Sequence, residues 1–267
     1  MARNLLGEMP FLDHLEELRW RIFRSLAAIV VGTVVGYVVV QHFGVLELLI
    51  RPSRAVLGDK GLAYFHPMDP FLITLKLSLV VGLILALPFV VREVWGFLSP
   101  GLTREERRVI VPSLYFGLLL FLSGVAIAYF FVLPITLSWG ASFQSEFLTA
   151  NIEVGQYLGF VTQLLVGFGA AFELPIVVMI LSVMGLVTPR FMREKRRHAI
   201  VIITVVVAVV TPGDLITTFT MLVPVLILYE LSIFLSALVH RRKERAEKER
   251  MQPAEGPPPG AVGADGP

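Results

Sequence analysis

Long apolar runs separated by short charged stretches dominate the pattern of the chain. The first, residues 25–43, contains no Asp, Glu, Lys or Arg, and its 19 residues reach across a hydrocarbon core of about 30 Å. Comparable runs recur along the chain, each interrupted by at most one charge. We therefore predict six transmembrane helices, at about residues 25–43, 71–91, 109–133, 154–187, 199–213 and 215–237.

This pattern predicts an all-α polytopic membrane protein whose last two spans are short. Residues 199–213 reach only about 22 Å as a helix, several Å less than an average bilayer core. The tetrapeptide Thr-Pro-Gly-Asp at 211–214 predicts a turn between these two spans. Irregular backbone at membrane depth needs protein or water around it, so we expect a thinned or wet zone beside this hairpin.

Composition supports a membrane protein and offers no enzyme signature. Hydrophobic residues make up 55% of the chain and charged residues 16%, whereas soluble domains carry about 25% charged residues. The absence of cysteine excludes disulfides, thiol catalysis and Cys-ligated metal sites. The five histidines are scattered, and no HExxH, GxSxG or Walker A sequence occurs. We predict neither an enzyme nor a bound cofactor or metal.

The basic residues predict the orientation of the chain. Of the 23 Lys and Arg, 19 lie in the N-terminal segment, the second and fourth loops and the C-terminal tail. Cytoplasmic segments concentrate such residues, so these parts and both termini are expected to be cytoplasmic. The predicted organisation is a cytoplasmic amphipathic segment at 1–24, a six-span membrane domain at 25–239 and a charged, then disordered, tail at 240–267.

The N-terminal segment combines an apolar stripe with acidic residues. Phe11, Leu15, Leu18 and Ile22 follow a helical spacing, which predicts a helix lying at the membrane interface. The acidic residues have two interpretations. Either Glu17 pairs with Arg21 and Glu16 with Arg19 along one helix, or carboxylates on this cation-rich face bind a basic ligand, most strongly an arginine. The carboxylates concerned are Glu16, Glu17, Glu105 and Glu106.

Three charges at the depth of the membrane are informative: Lys76, Glu173 and Asp214. A charge at the bilayer centre costs about 2.5–3.5 kcal/mol on insertion scales, so each should face protein or a wet cavity. Lys76 lies near the end of its span, where its side chain can reach the interface. Glu173 lies deep in its span before Pro175, which favours a kink, and is a candidate functional residue. Asp214 has either a turn-forming or a functional role.

Four motifs occur in order along the chain: HLEELR at 14–19, WGFLSPGL at 95–102 followed by ERR at 106–108, FELP at 172–175 and TPGD at 211–214. They resemble those of the TatC family, the multispanning receptor subunit of the twin-arginine protein translocase. Together with the six-span pattern, the resemblance covers nearly the whole chain. The tail from about Lys243 lies outside it.

The resemblance implies a concave six-helix scaffold that binds signal peptides with paired arginines at its cytoplasmic face. It implies that Glu17 and Glu106 are the carboxylates used, with Arg19 and Phe97 in the same site. Glu105 beside Glu106 departs from the family pattern and could share that contact. Other positions implied by the resemblance are Glu173, Asp214 and Lys76 as intramembrane polar or partner contacts, and Pro52, Pro100 and Pro175 as structural residues.

The resemblance also implies partners and a location. The family works in oligomers with small single-span subunits of the TatA and TatB type, uses the proton-motive force and exports folded proteins. The location implied is the cytoplasmic (inner) membrane, with no nucleic-acid partner.

Two other functions are compatible with the residues. In an ion-coupled secondary transporter, Glu173 and Lys76 would form a midplane site, although the inverted repeats common in such folds are not found. An intramembrane enzyme would need a nucleophile or metal cluster, and the sequence offers no candidate.

Overall fold

The protein is nearly all helical in a computed structural model that describes residues 11–54, 61–99, 104–142, 151–211 and 215–251. Within these ranges, Ala63 and Glu153 form an isolated parallel β-bridge. A 3-10 turn spans Arg51–Ser53 and a π-helical turn spans Ala128–Val132. The α-helices are α1 Phe11–His42, α2 Val45–Ile50, α3 Asp69–Leu98, α4 Arg104–Ile127, α5 Leu133–Ser142, α6 Val154–Phe172, α7 Leu174–Val183, α8 Pro189–Glu194, α9 Arg196–Val210 and α10 Leu215–Met251.

Most of each predicted span lies on helix in the described part of the structure, although the helices end at Val183 and Val210, short of the predicted ends at 187 and 213. Within the described residues, five helical segments are long and apolar enough to cross a bilayer: Asp13–His42, Asp69–Phe97, Ile110–Ser142, Val154–Val183 and Leu215–Leu238. The remaining span corresponds to α9, which has 15 residues and is shorter than the roughly 20 residues a typical span requires. The expectation of a short span therefore holds for α9.

The last span is not short, contrary to expectation, although its apolar part lies close to the predicted bounds 215–237. α10 continues for 37 residues, and its apolar part alone runs from Leu215 to Leu238. Glu230 lies within the apolar part, and its carboxylate pairs with Arg196 at the start of α9. Beyond His240 the chain is rich in Lys, Glu, Arg and Ala, which favour helix, so α10 continues past the apolar segment.

The N-terminal segment also differs from expectation, because it forms no separate interfacial helix. Residues 11–42 are one continuous helix, α1, that carries the acidic residues directly into the first apolar run. No proline interrupts this stretch. Its two glycines, Gly32 and Gly36, pack against α3, so they do not provide a break in the helix.

Close contact between backbones holds α1 along α3. A Cβ added to Gly82 of α3 would lie 2.5 Å from the Cα of Thr33, and one added to Gly36 would lie 2.5 Å from the carbonyl oxygen of Ser78. Small residues at helix contacts in membranes permit this approach. The outer face of α1 remains exposed at Val31, Val34, Val35 and Val38, a spacing that makes one apolar face for lipid.

The buried core of the protein is centred on α6. Val161, Leu164 and Phe168 have almost no exposed surface, and residues of α3, α5 and α10 pack around them. Further along the same predicted span, the helix breaks at Glu173, which ends α6 and precedes α7. The expected kink before Pro175 is thus present, because proline lacks the donor that would continue the α6 hydrogen-bond pattern.

Candidate functional site

The N-terminal end of α1 and the C-terminal end of α3 meet in a group of charged side chains. We call His14, Glu17, Arg21, Arg24 and Glu93 the α1–α3 polar cluster. All five belong to two helices that pack along each other, so the helix contact fixes which residues of each end are neighbours. A cavity of about 460 Å³ opens beside Glu17, Arg21 and Arg24.

Arg21 is the centre of the α1–α3 polar cluster. Its Nε donates to Oε1 of Glu17 at 2.9 Å, and its Nη2 donates to the same oxygen. Its Nη1 donates across the helix contact to Glu93, at 3.4 Å to Oε2 and 3.5 Å to the backbone carbonyl. One guanidinium therefore bridges carboxylates from two helices, with close contacts to Glu17 and long ones to Glu93.

Gly96 provides the space that the Arg21 guanidinium occupies. A Cβ at this position would overlap the guanidinium of Arg21. Gly96 lies one turn after Glu93 on α3, so the glycine and the carboxylate form one side of the same recess. The glycine of the Trp-Gly-Phe sequence in α3 is therefore explained by the packing of Arg21 from α1 against it.

Phe97 joins the α1–α3 polar cluster through His14. The two rings stack with centroids 4.4 Å apart and planes inclined by 13°. Nδ1 of His14 lies 3.8 Å from Oε2 of Glu17. His14 therefore lies between the aromatic side chain predicted for the site and the carboxylate predicted for it.

The second carboxylate oxygen of Glu17 is an open acceptor. Oε2 is shielded from solvent and has no hydrogen-bond partner among the residues that the structure describes. The Glu17 side chain as a whole is 21% exposed. Because an unpaired buried acceptor is costly, this oxygen is suited to accept a charge-assisted hydrogen bond from a cationic ligand.

The other predicted residues of this site have separate positions. Arg19 is exposed and places its guanidinium 5.6 Å from the centre of the Phe23 ring, so it lies outside the ion-pair network. Glu106 belongs to the start of α4, and its side chain lies outside the described part of the structure. Pro100 also lies outside the described residues. The structure thus brings together Glu17 and Phe97.

The sequence analysis missed Glu93 and Gly96 as site residues. Glu93 is a charged residue near the end of a predicted span, where an interfacial position is unremarkable. Its contact with Arg21 spans 72 residues of sequence, so local pattern carries no signal for it. Gly96 appeared in a motif, but its function of admitting Arg21 depends on the α1–α3 contact.

Within the membrane domain, Glu173 occupies the break between α6 and α7. A Cβ on Gly117 of α4 would lie 2.7 Å from Oε2 of Glu173, so the carboxylate rests against the backbone of α4. In the described parts of the chain, no Lys or Arg lies within ion-pair distance of this carboxylate. Pro175, two residues further along the chain, is fully buried.

Two of the remaining predicted positions, Lys76 and Pro52, belong to other elements than Glu173. Lys76 is exposed in the second turn of α3 and forms no ion pair with Glu173. Pro52 lies in the 3-10 turn at Arg51–Ser53. Asp214 is outside the described residues. Among those residues, no three His, Asp or Glu side chains are grouped as a metal site requires.

Comparison with known proteins identifies the family. The sequence profile described as "Sec-independent protein translocase protein (TatC)" matches residues 13–224. The chain belongs to the TatC family. The match includes the α1–α3 polar cluster and the Glu173 break, so both features lie within the family's common region.

Individual TatC relatives match most of the chain. The Sec-independent protein translocase protein TatC of Aquifex aeolicus is 37% identical over 242 residues, covering 90% of this chain and all of the relative. The TatC protein of Desulforapulum autotrophicum is 36% identical over 241 residues, covering 90% of this chain and 88% of the relative. These relatives are named as translocase proteins, which is a transport role.

A crystal structure of the twin-arginine translocase receptor TatC has the same fold. It superposes with a TM-score of 0.75 at 37% identity, covering 85% of this chain and 99% of that chain. A second crystal structure of the receptor, in the detergent DDM, gives a TM-score of 0.76 and covers 84% of this chain. The chain is therefore a multi-pass membrane protein of the Sec-independent protein translocase.

Proposed function

We propose that this chain is the receptor subunit of the translocase and that its cytoplasmic face binds signal peptides bearing paired arginines. The observation that carries the proposal is the open oxygen of Glu17, shielded from solvent and lacking a described hydrogen-bond partner. The N-terminal segment and the loop after α3 are rich in basic residues, which supports a cytoplasmic position for this end of the two helices.

The proposed mechanism uses two carboxylates, Glu17 and Glu106, one for each arginine of the signal. A charge-assisted hydrogen bond contributes roughly 1.5–3 kcal/mol. The planar guanidinium fork matches a carboxylate, whereas a lysine ammonium is a compact point charge, so paired arginines should bind more tightly than paired lysines. Phe97, stacked on His14, would provide apolar surface beside the arginine that binds Glu17.

We expect this protein to act with other subunits once a signal peptide is bound. The proposal includes small single-span partners of the TatA and TatB type, export of folded proteins and use of the proton-motive force. Glu173 is proposed to contact a partner helix or the translocating chain. Supporting this role, its carboxylate lies at a helix break without a described cation partner, and such intramembrane carboxylates mark functional sites.

The test is the affinity of the detergent-purified protein for a paired-arginine signal peptide and for its paired-lysine twin. Glu17→Gln and Glu106→Gln remove one negative charge each with little change of shape. Each variant is expected to weaken arginine-peptide binding roughly 10-fold to 100-fold, the value of one charge-assisted hydrogen bond. Glu194→Gln is the matched control, because Glu194 is an exposed carboxylate whose ion pair in the described part of the chain is with Arg190, at i−4.

Equal affinity for both peptides, unaffected by either variant, would contradict the proposal. The ion-coupled transporter would then be tested by proton flux in vesicles that contain this chain without partner subunits. That alternative has lost one support, because Lys76 and Glu173 form no ion pair.

A further inference from the structure

The carboxylate proposed to bind a signal arginine already holds an arginine of the protein itself. Arg21 donates twice to Oε1 of Glu17, which leaves only Oε2 open. A bidentate contact between a guanidinium and a carboxylate uses both oxygens. Among the described residues, Oε2 has no hydrogen-bond partner, and Nδ1 of His14 is 3.8 Å away. An incoming arginine that binds both oxygens therefore competes with Arg21 for Oε1, and the two guanidinium groups repel each other at that distance.

Glu93 provides a second carboxylate that can pair with Arg21. Its Oε2 and its backbone carbonyl both face Nη1 of Arg21, at 3.4 and 3.5 Å, which is longer than a strong charge-assisted hydrogen bond. These contacts can shorten if the guanidinium turns away from Glu17. The Glu93 side chain is 18% exposed, so its charge is poorly screened by solvent.

The described neighbours of Glu93 leave its carboxylate able to pair more closely with Arg21. Arg24 is the other described cation near the carboxylate, at 3.9 Å, and its side chain is 65% exposed, so it holds Glu93 weakly. Gly96 keeps the α3 side of the recess free of a Cβ where the guanidinium lies. A short rotation of one side chain is then sufficient to move Arg21 from one carboxylate to the other.

We propose that Glu93 is a positioning residue that takes over Arg21 when a signal-peptide arginine displaces it from Glu17. This inference rests on the proposed function. Glu93 acts through Arg21 and does not itself contact the peptide. After the exchange, the peptide arginine pairs with Glu17 and Arg21 pairs with Glu93, so the affinity for the peptide depends on how well Glu93 accepts the resident arginine.

A double-mutant cycle tests the exchange, with peptide affinity as the readout. Glu93→Gln removes the receiving charge and is expected to weaken paired-arginine binding about 10-fold, the value of one charge-assisted contact. Arg21→Gln removes the competitor and is expected to strengthen binding severalfold. In the double variant, Glu93→Gln should have no further effect on affinity, because the residue that Glu93 positions is absent.

Control variants separate positioning from stability. Glu93→Asp keeps the charge and is expected to retain most of the affinity, and the thermal midpoint of each variant in detergent reports whether it is folded. The pair Arg190 and Glu194, which is also an i,i+4 pair of arginine and glutamate, supplies matched Arg190→Gln and Glu194→Gln controls without an effect on affinity.

Two results would overturn the inference while leaving the proposed function intact. One is an equal loss from Glu93→Gln with and without Arg21, which would indicate a structural role. The other is weaker binding in Arg21→Gln, which would make Arg21 a ligand contact and not a competitor. Failure of the proposed function has a different signature, namely wild-type protein that does not distinguish the two peptides or that is insensitive to Glu17→Gln.

Discussion

Replacing Gly82 by alanine should separate α1 from α3. The added Cβ would lie 2.5 Å from both the Cα and the amide nitrogen of Thr33, and 2.6 Å from the carbonyl carbon of Gly32. Favourable carbon contacts are about 3.5–4.0 Å long, so the shortfall is about 1 Å. All three atoms belong to the backbone, and no side-chain rotation relieves the overlap. The helices themselves must move apart.

The magnitude follows from two opposing effects. Overpacking a close contact costs typically about 1–3 kcal/mol, and a clash between backbones belongs at the upper end. Replacing glycine by alanine inside a helix returns up to about 1 kcal/mol through helix propensity. We expect Gly82→Ala to lower the free energy of unfolding by about 2 kcal/mol, the difference between these effects.

The assay is reversible denaturation in detergent, with Gly159→Ala as the matched control. Gly159 also lies inside a helix, α6, but a Cβ there meets nothing within 4 Å. The control should gain up to about 1 kcal/mol, so the two variants should differ by about 3 kcal/mol. Equal stability of the two variants would refute the conclusion that close backbone contact at Gly82 joins α1 to α3.

Two further predictions concern the membrane domain. Gly117→Ala places a Cβ 2.7 Å from Oε2 of Glu173 and should displace the carboxylate. We expect export in cells to fall in this variant and in Glu173→Ala, and normal export from both variants would contradict the proposed role of this carboxylate. Tyr157→Phe removes a buried 3.0 Å hydrogen bond to the Leu49 carbonyl and should lower stability by about 0.5–1.5 kcal/mol, whereas Tyr115→Phe, at a side chain that is 71% exposed, should have no effect on the same denaturation midpoint.

Hydropathy predicts where helices lie in this chain better than where they end. A membrane span needs a long run of apolar residues, and that requirement is visible in any window of the sequence. The end of a helix depends on local contacts instead. Glu230 is a charge within the last apolar run, and its carboxylate pairs with Arg196 at the start of α9, a contact that the hydropathy pattern does not predict. The break at Glu173 was predictable because Pro175 acts locally.

Only the part of the candidate site that depends on local spacing could be predicted from the sequence. Glu17 and Arg21 are one helical turn apart, so their pairing follows from sequence spacing. Glu93 reaches Arg21 only because Gly82 and its neighbours allow α1 and α3 to approach, and that contact depends on the packing of two distant segments. The sequence contains the residues, but their pairing is a tertiary property.

The unbroken α1 helix fixes the distance between a ligand bound at Glu17 and the start of the first apolar run. Ser25, where the first apolar run begins, lies eight positions after Glu17 on this helix. At about 1.5 Å per residue, Glu17 is about 12 Å from that boundary along the helix axis. An extended peptide advances about 3.3 Å per residue, so about four residues bridge this height. A signal peptide held at Glu17 therefore needs a linker of about that length between its arginines and its apolar segment.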